Sequence, residues 1–201
     1  YNKMHFYHPD YCSFGAFNET QDHGEDLVCY AKLVPSFFIF GAKPTIPQSL
    51  QIKDELVCFQ MIIRNKITIT YSDEIIKLDE SHREALLGLV KIVYPEYFKL
   101  RSADLGNYYG IFKDNQLVSI TGERMQMDAF TEVSAVITHP EHRGKEYAKQ
   151  LVAHAANVIF EQNKTAFLHV AEANVGAVKL YEKLGFITRT KMSIWQITKE
   201  G

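Results

Sequence analysis

Apolar and polar residues alternate along some segments of the chain, and in other segments the apolar residues recur every three or four positions. The first pattern is typical of strands and the second of helices. From Glu74 onwards, the patterns predict a strand, a helix, a hairpin, a strand, a helix, a strand, a helix and a final strand. This order predicts a mixed sheet that carries helices on both faces.

Residues with capping chemistry mark the ends of the first two helices. Either Asp79 or Ser81 is expected to cap a helix that Pro95 ends. A second helix is expected from about residue 144 to residue 162. Apolar residues at helical spacing give each helix one stripe to bury, and these are Leu86, Leu89, Val90 and Val93 in the first helix and Ala148, Leu151, Val152, Ala155 and Ile159 in the second.

Turn residues separate the remaining elements. Asp114 and Asn115 tolerate the positive φ of a tight hairpin, so the strands on either side are expected to pair antiparallel. Asn174 is expected to cap the third helix. Gly185 suits a left-handed conformation at the end of that helix, with Phe186 folding back on the last turn.

Several strands are predicted from alternation and from short apolar runs. Alternation over residues 130–138 divides the side chains of that strand between two faces, Glu132, Ser134 and Val136 on one and Val133, Ala135 and Ile137 on the other. Two earlier strands are predicted at "SFFIFGA" and "ELVCFQMII", with a proline-containing loop between them. Residues 1–25 have no clear period and are expected to form a loop with a short helix at most.

Composition narrows the classes of partner. The 201 residues carry 24 acidic and 22 basic side chains, so neither nucleic acid nor a membrane is expected as a partner. No apolar run approaches the ~20 residues of a membrane span. Cys12, Cys29 and Cys58 are widely spaced, which indicates reduced thiols in a cytoplasmic protein. The spacing of His5, His8 and Cys12 is weak evidence for a metal, and no metal site is expected.

The stretch "ITHPEHRGKEYAKQL", residues 137–151, combines a strand end, a turn and the start of a helix. The first turn of a helix has four N–H groups without intrahelical partners, and the helix dipole adds partial positive charge there. Such a turn is suited to a phosphate. Glu146 places a carboxylate at a position where a phosphate-binding loop favours glycine.

Together with "FLHV" and "NVGAVKLYEKLGF", this stretch resembles the acetyl-CoA-dependent N-acetyltransferases of the GNAT superfamily. The resemblance is strongest over residues 131–186 and is loose over the first 65 residues. It implies an α/β (α+β) class and a GNAT-like acyl-CoA N-acyltransferase fold, with a central mixed, mostly antiparallel sheet flanked by helices. The implied domains are an N-terminal α/β extension or GNAT-like half-domain at residues 1–66 and a GNAT acetyltransferase domain at residues 67–201.

The family's pyrophosphate loop, Gln/Arg-x-x-Gly-x-Gly/Ala, falls on Arg143, Glu146 and Ala148, and two of these three positions agree. Glu146 is expected to weaken CoA binding by about 1 kcal/mol, unless its carboxylate turns into water or pairs with a neighbouring basic side chain. An oxyanion donor is implied among the backbone N–H groups of residues 136–138. The residues implied to bind CoA are Val136, Ile137, Thr138, Arg143, Gly144, Lys145, Glu146, Tyr147, Ala148 and Asn174.

The same resemblance implies two catalytic residues. Glu132 corresponds to a general base that takes a proton from the amine through a water, and Tyr181 to a general acid that protonates the departing thiolate. The alternatives are a solvent-facing strand carboxylate for Glu132 and a core tyrosine for Tyr181. Asn174 is also explained by helix capping alone.

Three histidines are other candidates for the base, because histidine is the side chain that titrates nearest to neutral pH. His139 and His142 are equally explained by a solvated turn. His169 lies on an apolar strand, where a hydrogen-bonded core residue is the alternative, and its place beside the strand that holds the acyl group keeps it as a candidate.

The implied function is transfer of an acetyl group from acetyl-CoA, a co-substrate, to a primary amine of a small molecule, amino acid or protein by direct attack in a ternary complex. The alternative is a catalytically impaired GNAT-fold regulatory or CoA-binding module, which Glu146 alone favours. The sequence leaves open both the amine acceptor and the choice between monomer and homodimer.

Overall fold

The computed structural model describes residues 4–17, 23–94 and 98–200. Within these ranges the chain forms ten strands and four α-helices. The strands are β1 Met4–Phe6, β2 Phe14–Phe17, β3 Ser36–Phe40, β4 Leu50–Ile62, β5 Ile76–Leu78, β6 Tyr108–Lys113, β7 Gln116–Gln126, β8 Phe130–Thr138, β9 Thr165–Ala171 and β10 Ile187–Lys199. The helices are α1 Gly24–Ala31, α2 Arg83–Val93, α3 Tyr147–Glu161 and α4 Val175–Lys183.

All of these strands belong to one sheet, in the order β1-β2-β3-β10-β4-β9-β8-β7-β6-β5. Neighbouring strands run antiparallel, except for the parallel pairs β2–β3 and β8–β9. The prediction of a mixed, mostly antiparallel sheet is therefore confirmed.

Helices cover both faces of the sheet, as predicted. The side chains of β7 alternate between the two faces, since Val118 packs in the core beneath α3 and its neighbour Leu117 packs in the core beneath α2. The predicted stripes supply these cores, with Leu151, Val152, Ala155 and Ile159 buried on α3 and Leu86, Leu89 and Val90 buried on α2.

The predicted caps and turns are present. Asp79 caps the 3-10 turn Glu80–His82, which leads directly into α2. Asp114 and Asn115, with φ of 48° and 63°, make the tight turn between β6 and β7. Asn174 Oδ1 accepts a hydrogen bond from the Ala177 N–H at 3.2 Å at the start of α4. Pro95, which was expected to end α2, lies outside the described residues.

The N-terminal part of the chain contributes strands to the middle of the sheet. β4 lies between β9 and β10 and pairs with both, so the sheet is continuous across residue 66. The expectation of a loop over residues 1–25 was wrong, because β1 and β2 pair with each other and β2 pairs with β3. Strands of three and four residues are too short for alternation to reveal them.

The sheet curls so that its first strands face β7 and the segment before β6. The Tyr11 carbonyl, between β1 and β2, accepts a hydrogen bond of 2.5 Å from the Ser102 hydroxyl. The Arg101 guanidinium lies over the Tyr11 ring at 4.3 Å. Arg124 on β7 lies over the Phe14 ring on β2 at 4.7 Å. The curled sheet therefore encloses a trough between β2 and β7.

No helix in the described ranges is long and apolar enough to cross a membrane. Those ranges also contain no group of three His, Cys, Asp or Glu side chains arranged to hold a metal ion. The three cysteines are free thiols, buried at Cys12 and Cys58 and exposed at Cys29.

Candidate active site

The parallel strands β8 and β9 pair for three residues and then part. The last registered pair among the described residues joins Glu132 to Phe167. Beyond it, β8 stays paired with β7 as far as Thr138, and β9 stays paired with β4 as far as Ala171. A wedge-shaped opening follows in the sheet between the two strands.

A β-bulge shapes the β8 side of this wedge. Ser134 pairs with Gly122 and Ile137 with Ile120, so Ala135 and Val136 lie opposite one residue of β7. Ala135 has φ of 49°. A bulge bends its strand and changes the direction of its side chains. The strict alternation predicted for this strand is therefore wrong across the bulge. Val133 was predicted to share a face with Ala135 and Ile137, but it packs with Val136 in the α3 core, while Ala135 and Ile137 pack with α2.

A groove of about 680 Å³ runs from the bulge to the first turns of α3 and α4. All ten residues predicted to bind CoA line this one groove: Val136, Ile137, Thr138, Arg143, Gly144, Lys145, Glu146, Tyr147, Ala148 and Asn174. The structure thus brings together residues from β8, the following loop, α3 and the cap of α4. Val93, Tyr94 and Leu180 also line the groove and were not predicted, because the approach of α2 and α4 across the groove is a tertiary contact.

The loop before α3 makes two left-handed turns. Gly144 has φ of 77°, and Glu146, the N-cap of α3, has φ of 58° and ψ of 14°. No side chain caps the first turn of α3, and the first intrahelical donor in it is the Gln150 N–H, which bonds to the Glu146 carbonyl. The N–H groups that precede Gln150 are those that a helix start offers to an anion.

Glu146 takes the backbone conformation that glycine adopts without strain. For a residue with a Cβ, the left-handed backbone conformation is less favourable than the right-handed one by roughly 1–2 kcal/mol. Its carboxylate points away from the loop backbone, because the side chain is 67% exposed and pairs with Lys149 Nζ at 2.9 Å. This is the pairing that was expected to limit its repulsion of a phosphate. Arg143, Lys145 and Lys149 give the mouth of the groove an excess of basic side chains.

Glu132 is buried at the point where β8 and β9 part, with 1% of its surface exposed. Arg124 holds both carboxylate oxygens, with Nε donating to Oε2 at 2.7 Å and Nη2 donating to Oε1 at 2.6 Å. Burial alone would raise the pKa of Glu132, but the charge of Arg124 and the hydrogen bonds from His169 and Arg124 outweigh it and hold that pKa at about 2. The expectation of a solvent-facing carboxylate is not met.

His169 on β9 completes this buried network. Its Nδ1 lies 2.7 Å from Glu132 Oε1, and its Nε2 lies 3.1 Å from Gln60 Nε2 on β4. Since a carboxylate accepts and an amide NH₂ donates, Nδ1 carries the proton and Nε2 presents its lone pair. Sequence analysis did not identify Gln60, because the insertion of β4 beside β9 has no sequence signal.

Arg124 belongs to the candidate site, although it is not among the residues predicted to be catalytic or to bind CoA. Its guanidinium lies over Phe14 at 4.7 Å and over Phe40 at 5.9 Å. The signal that points to it is the antiparallel pairing of β7 and β8, because opposite charges on facing strands tend to pair.

Tyr181 lies in the core rather than on the groove. Its side chain is 6% exposed, belongs to the cluster beneath α3, and meets the Phe186 ring edge-on at 6.0 Å. Burial raises the pKa of its hydroxyl, with a smaller contribution from Tyr94, which does line the groove. Burial therefore keeps the hydroxyl protonated and also makes it a weaker proton donor, as the alternative of a core tyrosine implies.

His139 and His142 flank the turn between β8 and the loop. The ring of His139 accepts a hydrogen bond from the Glu141 N–H at 3.3 Å. His142 lines the groove, whereas His139 does not. Neither histidine is part of the network around Glu132.

Part of the chain matches a known protein family, and the fold matches solved structures. Residues 108–195 match the model of a family described as FR47-like protein. No curated protein matches the chain in sequence. The matched residues run from β6 into β10 and so include the wedge, the loop, and Arg124, Glu132 and His169 of the buried network.

Solved structures share the fold over most of the chain. A GNAT-family protein from Novosphingobium aromaticivorans is 24% identical, with a TM-score of 0.89, over 100% of this chain and 90% of that one. A GCN5-related N-acetyltransferase from Kribbella flavida is 15% identical, with a TM-score of 0.61, over 94% of this chain and 81% of that one. The protein AAC(6')-Iy, in complex with a CoA-containing bisubstrate analogue, is 16% identical, with a TM-score of 0.52, over 60% of this chain and 94% of that one.

Proposed function

We propose that the chain is a GNAT-superfamily protein that transfers an acetyl group from acetyl-CoA to a primary amine. The match of residues 108–195 to the FR47-like family and the fold shared with GNAT-family structures support this proposal. The observation that carries this proposal is the wedge between β8 and β9, which opens at Glu132 and Phe167 and leads to the loop before α3. A wedge of this kind gives an extended thioester arm access to the sheet, and the loop offers N–H groups to a diphosphate.

The residues of the groove suit CoA. Arg143, Lys145 and Lys149 supply positive charge at the wide end, where the diphosphate would lie. Val136, at the bulge of β8, lies where a backbone N–H would face the thioester carbonyl. The solved complex of AAC(6')-Iy with a CoA-containing analogue, which shares this fold, supports the same use of the groove.

The amine must lose a proton before it attacks, because an unperturbed alkyl ammonium has a pKa near 10. We propose that His169 Nε2 accepts this proton and that Glu132 orients the ring and stabilises the imidazolium. Glu132 itself is a weak base, since Arg124 and His169 hold its pKa at about 2. Glu132 therefore keeps a part in catalysis as the partner of His169.

In this reaction the lone pair of the amine nitrogen forms the amide C–N bond while the C–S bond of the thioester breaks. The ammonium gives up two protons in all. One passes to His169 and then to solvent, and the other replaces the proton that the acid gives to the CoA sulfur. We propose that Tyr181 supplies the sulfur with its proton, through the neighbouring Tyr94 at the groove.

Glu146 was the observation in favour of an impaired module. Its carboxylate is mostly exposed and is paired with Lys149. Its backbone is left-handed, with φ of 58°, which is a conformation that glycine adopts without strain. These two observations support the enzymatic proposal over the impaired module.

Calorimetric titration with CoA tests the binding half of the proposal. Lys145→Glu reverses a charge at the mouth of the groove, and we expect it to weaken CoA binding roughly tenfold. Lys53→Glu makes the same change at an exposed position of β4, away from the groove, and should leave CoA binding unchanged. Equal effects of the two variants, or no binding by the unaltered protein, would refute the assignment of the groove.

A further inference from the structure

A second cavity, of about 630 Å³, lies in the trough of the curled sheet. Its walls come from seven strands, and the apolar side chains that line it include Phe6, Phe14, Phe40, Met125, Phe167 and Met192. Small-molecule sites are typically concave, apolar cavities of ~300–1,000 Å³ with a few polar groups that fix orientation. The trough cavity has this character.

The polar groups of the trough cavity converge on its floor. His169 and Gln60 both line it, and Glu132 lies directly behind His169 at 2.7 Å. Among its described lining residues there is no Asp, Glu, Lys or Arg. The charge of Glu132 is matched by Arg124 at 2.6 Å, so the floor is electrically balanced.

The trough cavity and the groove between β8 and β9 both adjoin a third, smaller cavity. A small cavity of about 120 Å³ shares Phe14 with the trough and shares Tyr94 and Ile137 with the groove. Phe167, at the last β8–β9 pair, lines the trough as well. An acyl group that enters from the groove would therefore meet an acceptor that lies in the trough.

We infer that the trough cavity holds the acceptor, and that the acceptor is a single primary amine carried on an aromatic or branched apolar body. This inference rests on the proposed acyl transfer. Burial of the acceptor's apolar surface against the Phe and Met side chains would favour binding by about 25 cal/mol per Å². A polyamine or another polycation would have to bury several charges against a wall without carboxylates, which is unfavourable.

Gln60 marks the position that the amine would take. Its NH₂ group donates to His169 Nε2 at 3.1 Å, and an amine is a donor of the same kind. An amine that replaces Gln60 at this atom would deliver its proton to His169, and its apolar body would lie among the aromatic rings.

Competing amines test the inference. With acetyl-CoA in excess, thiol release is followed with 2-phenylethylamine, ethylamine and spermidine. We expect kcat/KM for 2-phenylethylamine to exceed that for ethylamine by roughly tenfold or more and to exceed that for spermidine as well. Turnover that favours ethylamine or spermidine would overturn the inference while leaving acyl transfer itself established.

Variants that fill the cavity provide a second readout. Ala16 lines the trough, so Ala16→Phe and the smaller Ala16→Leu should each raise KM for 2-phenylethylamine, the larger change roughly tenfold, without weakening CoA binding. Ala42→Phe makes the same change at an exposed position after β3 and should have no effect. Equal KM values for all three variants and the unaltered protein would contradict the inference.

Binding of the amide product separates this inference from the proposed function. If no amine is acetylated, calorimetry with N-(2-phenylethyl)acetamide still reports on the trough. Binding that Ala16→Phe abolishes would support the trough site although acyl transfer had failed. Absence of binding to the unaltered protein would overturn the trough site.

Discussion

Glu132 and His169 are joined by a hydrogen bond of 2.7 Å across the parallel strands β8 and β9, just where the two strands stop pairing. The carboxylate is 1% exposed, and the imidazole beside it lines the trough cavity. The bond therefore links a buried charge to an imidazole that borders the trough cavity at the apex of the wedge. Such a carboxylate–histidine pair orients the ring and stabilises its protonated form.

Replacement of His169 tests its part as the proton acceptor. His169→Gln keeps a polar side chain but removes the base, so we expect kcat to fall by about 10²–10⁴-fold with CoA affinity unchanged. His154→Gln is the matched control, because His154 contacts Tyr109 beneath α3 and lies outside the network. Steady-state kinetics and CoA titration measure both quantities. A kcat for His169→Gln equal to that of the control would remove His169 from the mechanism.

The acid stability of the protein should depend on Glu132. Its pKa in the folded state is about 2, below the usual value of 4.5, so the carboxylate stabilises the fold above about pH 4.5. That stabilisation is lost as pH falls from 4.5 towards 2, because protonation then favours the unfolded chain. Denaturant unfolding at a series of pH values measures the effect.

Glu132→Gln provides the comparison for this pH dependence. Removing one partner of a buried ion pair costs about 3–5 kcal/mol, so the variant should be less stable at pH 7 and its stability should change less between pH 5 and pH 3. Asp73, whose pKa the hydrogen bond from Lys113 also lowers to about 2, titrates over the same range in both proteins. The difference between the two curves therefore isolates Glu132, and parallel curves would contradict the assignment.

Glu146→Gly should stabilise the protein and strengthen CoA binding. Glycine removes the left-handed strain at this position, but it adds freedom to the unfolded chain, so we expect a net gain of about 0.5–1 kcal/mol. Loss of the carboxylate frees Lys149, with which it pairs at 2.9 Å, to face the diphosphate, so CoA binding should tighten by up to a few-fold. Thermal unfolding and calorimetry check the two effects separately.

Asn163→Gly is the control for Glu146→Gly. Asn163 also has a left-handed backbone, with φ of 59°, at the far end of α3, where it does not line the groove. It should gain less stability, since asparagine tolerates this conformation, and CoA affinity should not change. A gain in affinity for Asn163→Gly as large as that for Glu146→Gly would mean that the carboxylate is not the cause.

The fold was largely predictable from Glu74 onwards, because long amphipathic helices and alternating strands give strong periodic signals. The loop at Arg143 and the cap at Asn174 were predictable because local sequence determines both. The bulge at Ala135 and the insertion of β4 beside β9 were not, since they depend on pairing with distant strands. Glu132 was identified as a candidate, but its partners Arg124 and Gln60 come from those same tertiary pairings.

Tyr181→Phe tests the proposed acid. The variant keeps the buried ring and removes only the hydroxyl, so we expect a large loss of turnover with little change in CoA affinity. Tyr109→Phe, a buried tyrosine of the same core cluster, controls for the general effect of losing a hydroxyl there. Turnover by Tyr181→Phe that matches this control would exclude Tyr181 from the reaction.

The transfer itself is measured most directly by mass spectrometry, with acetyl-CoA that carries a deuterated acetyl group and 2-phenylethylamine, ethylamine and spermidine as acceptors. We predict a deuterated amide of at least one amine, formed in equal amount to the free CoA thiol and lost in His169→Gln. Thiol release that yields only deuterated acetate, or no product with any of these amines, would contradict the proposal that this protein acetylates an amine.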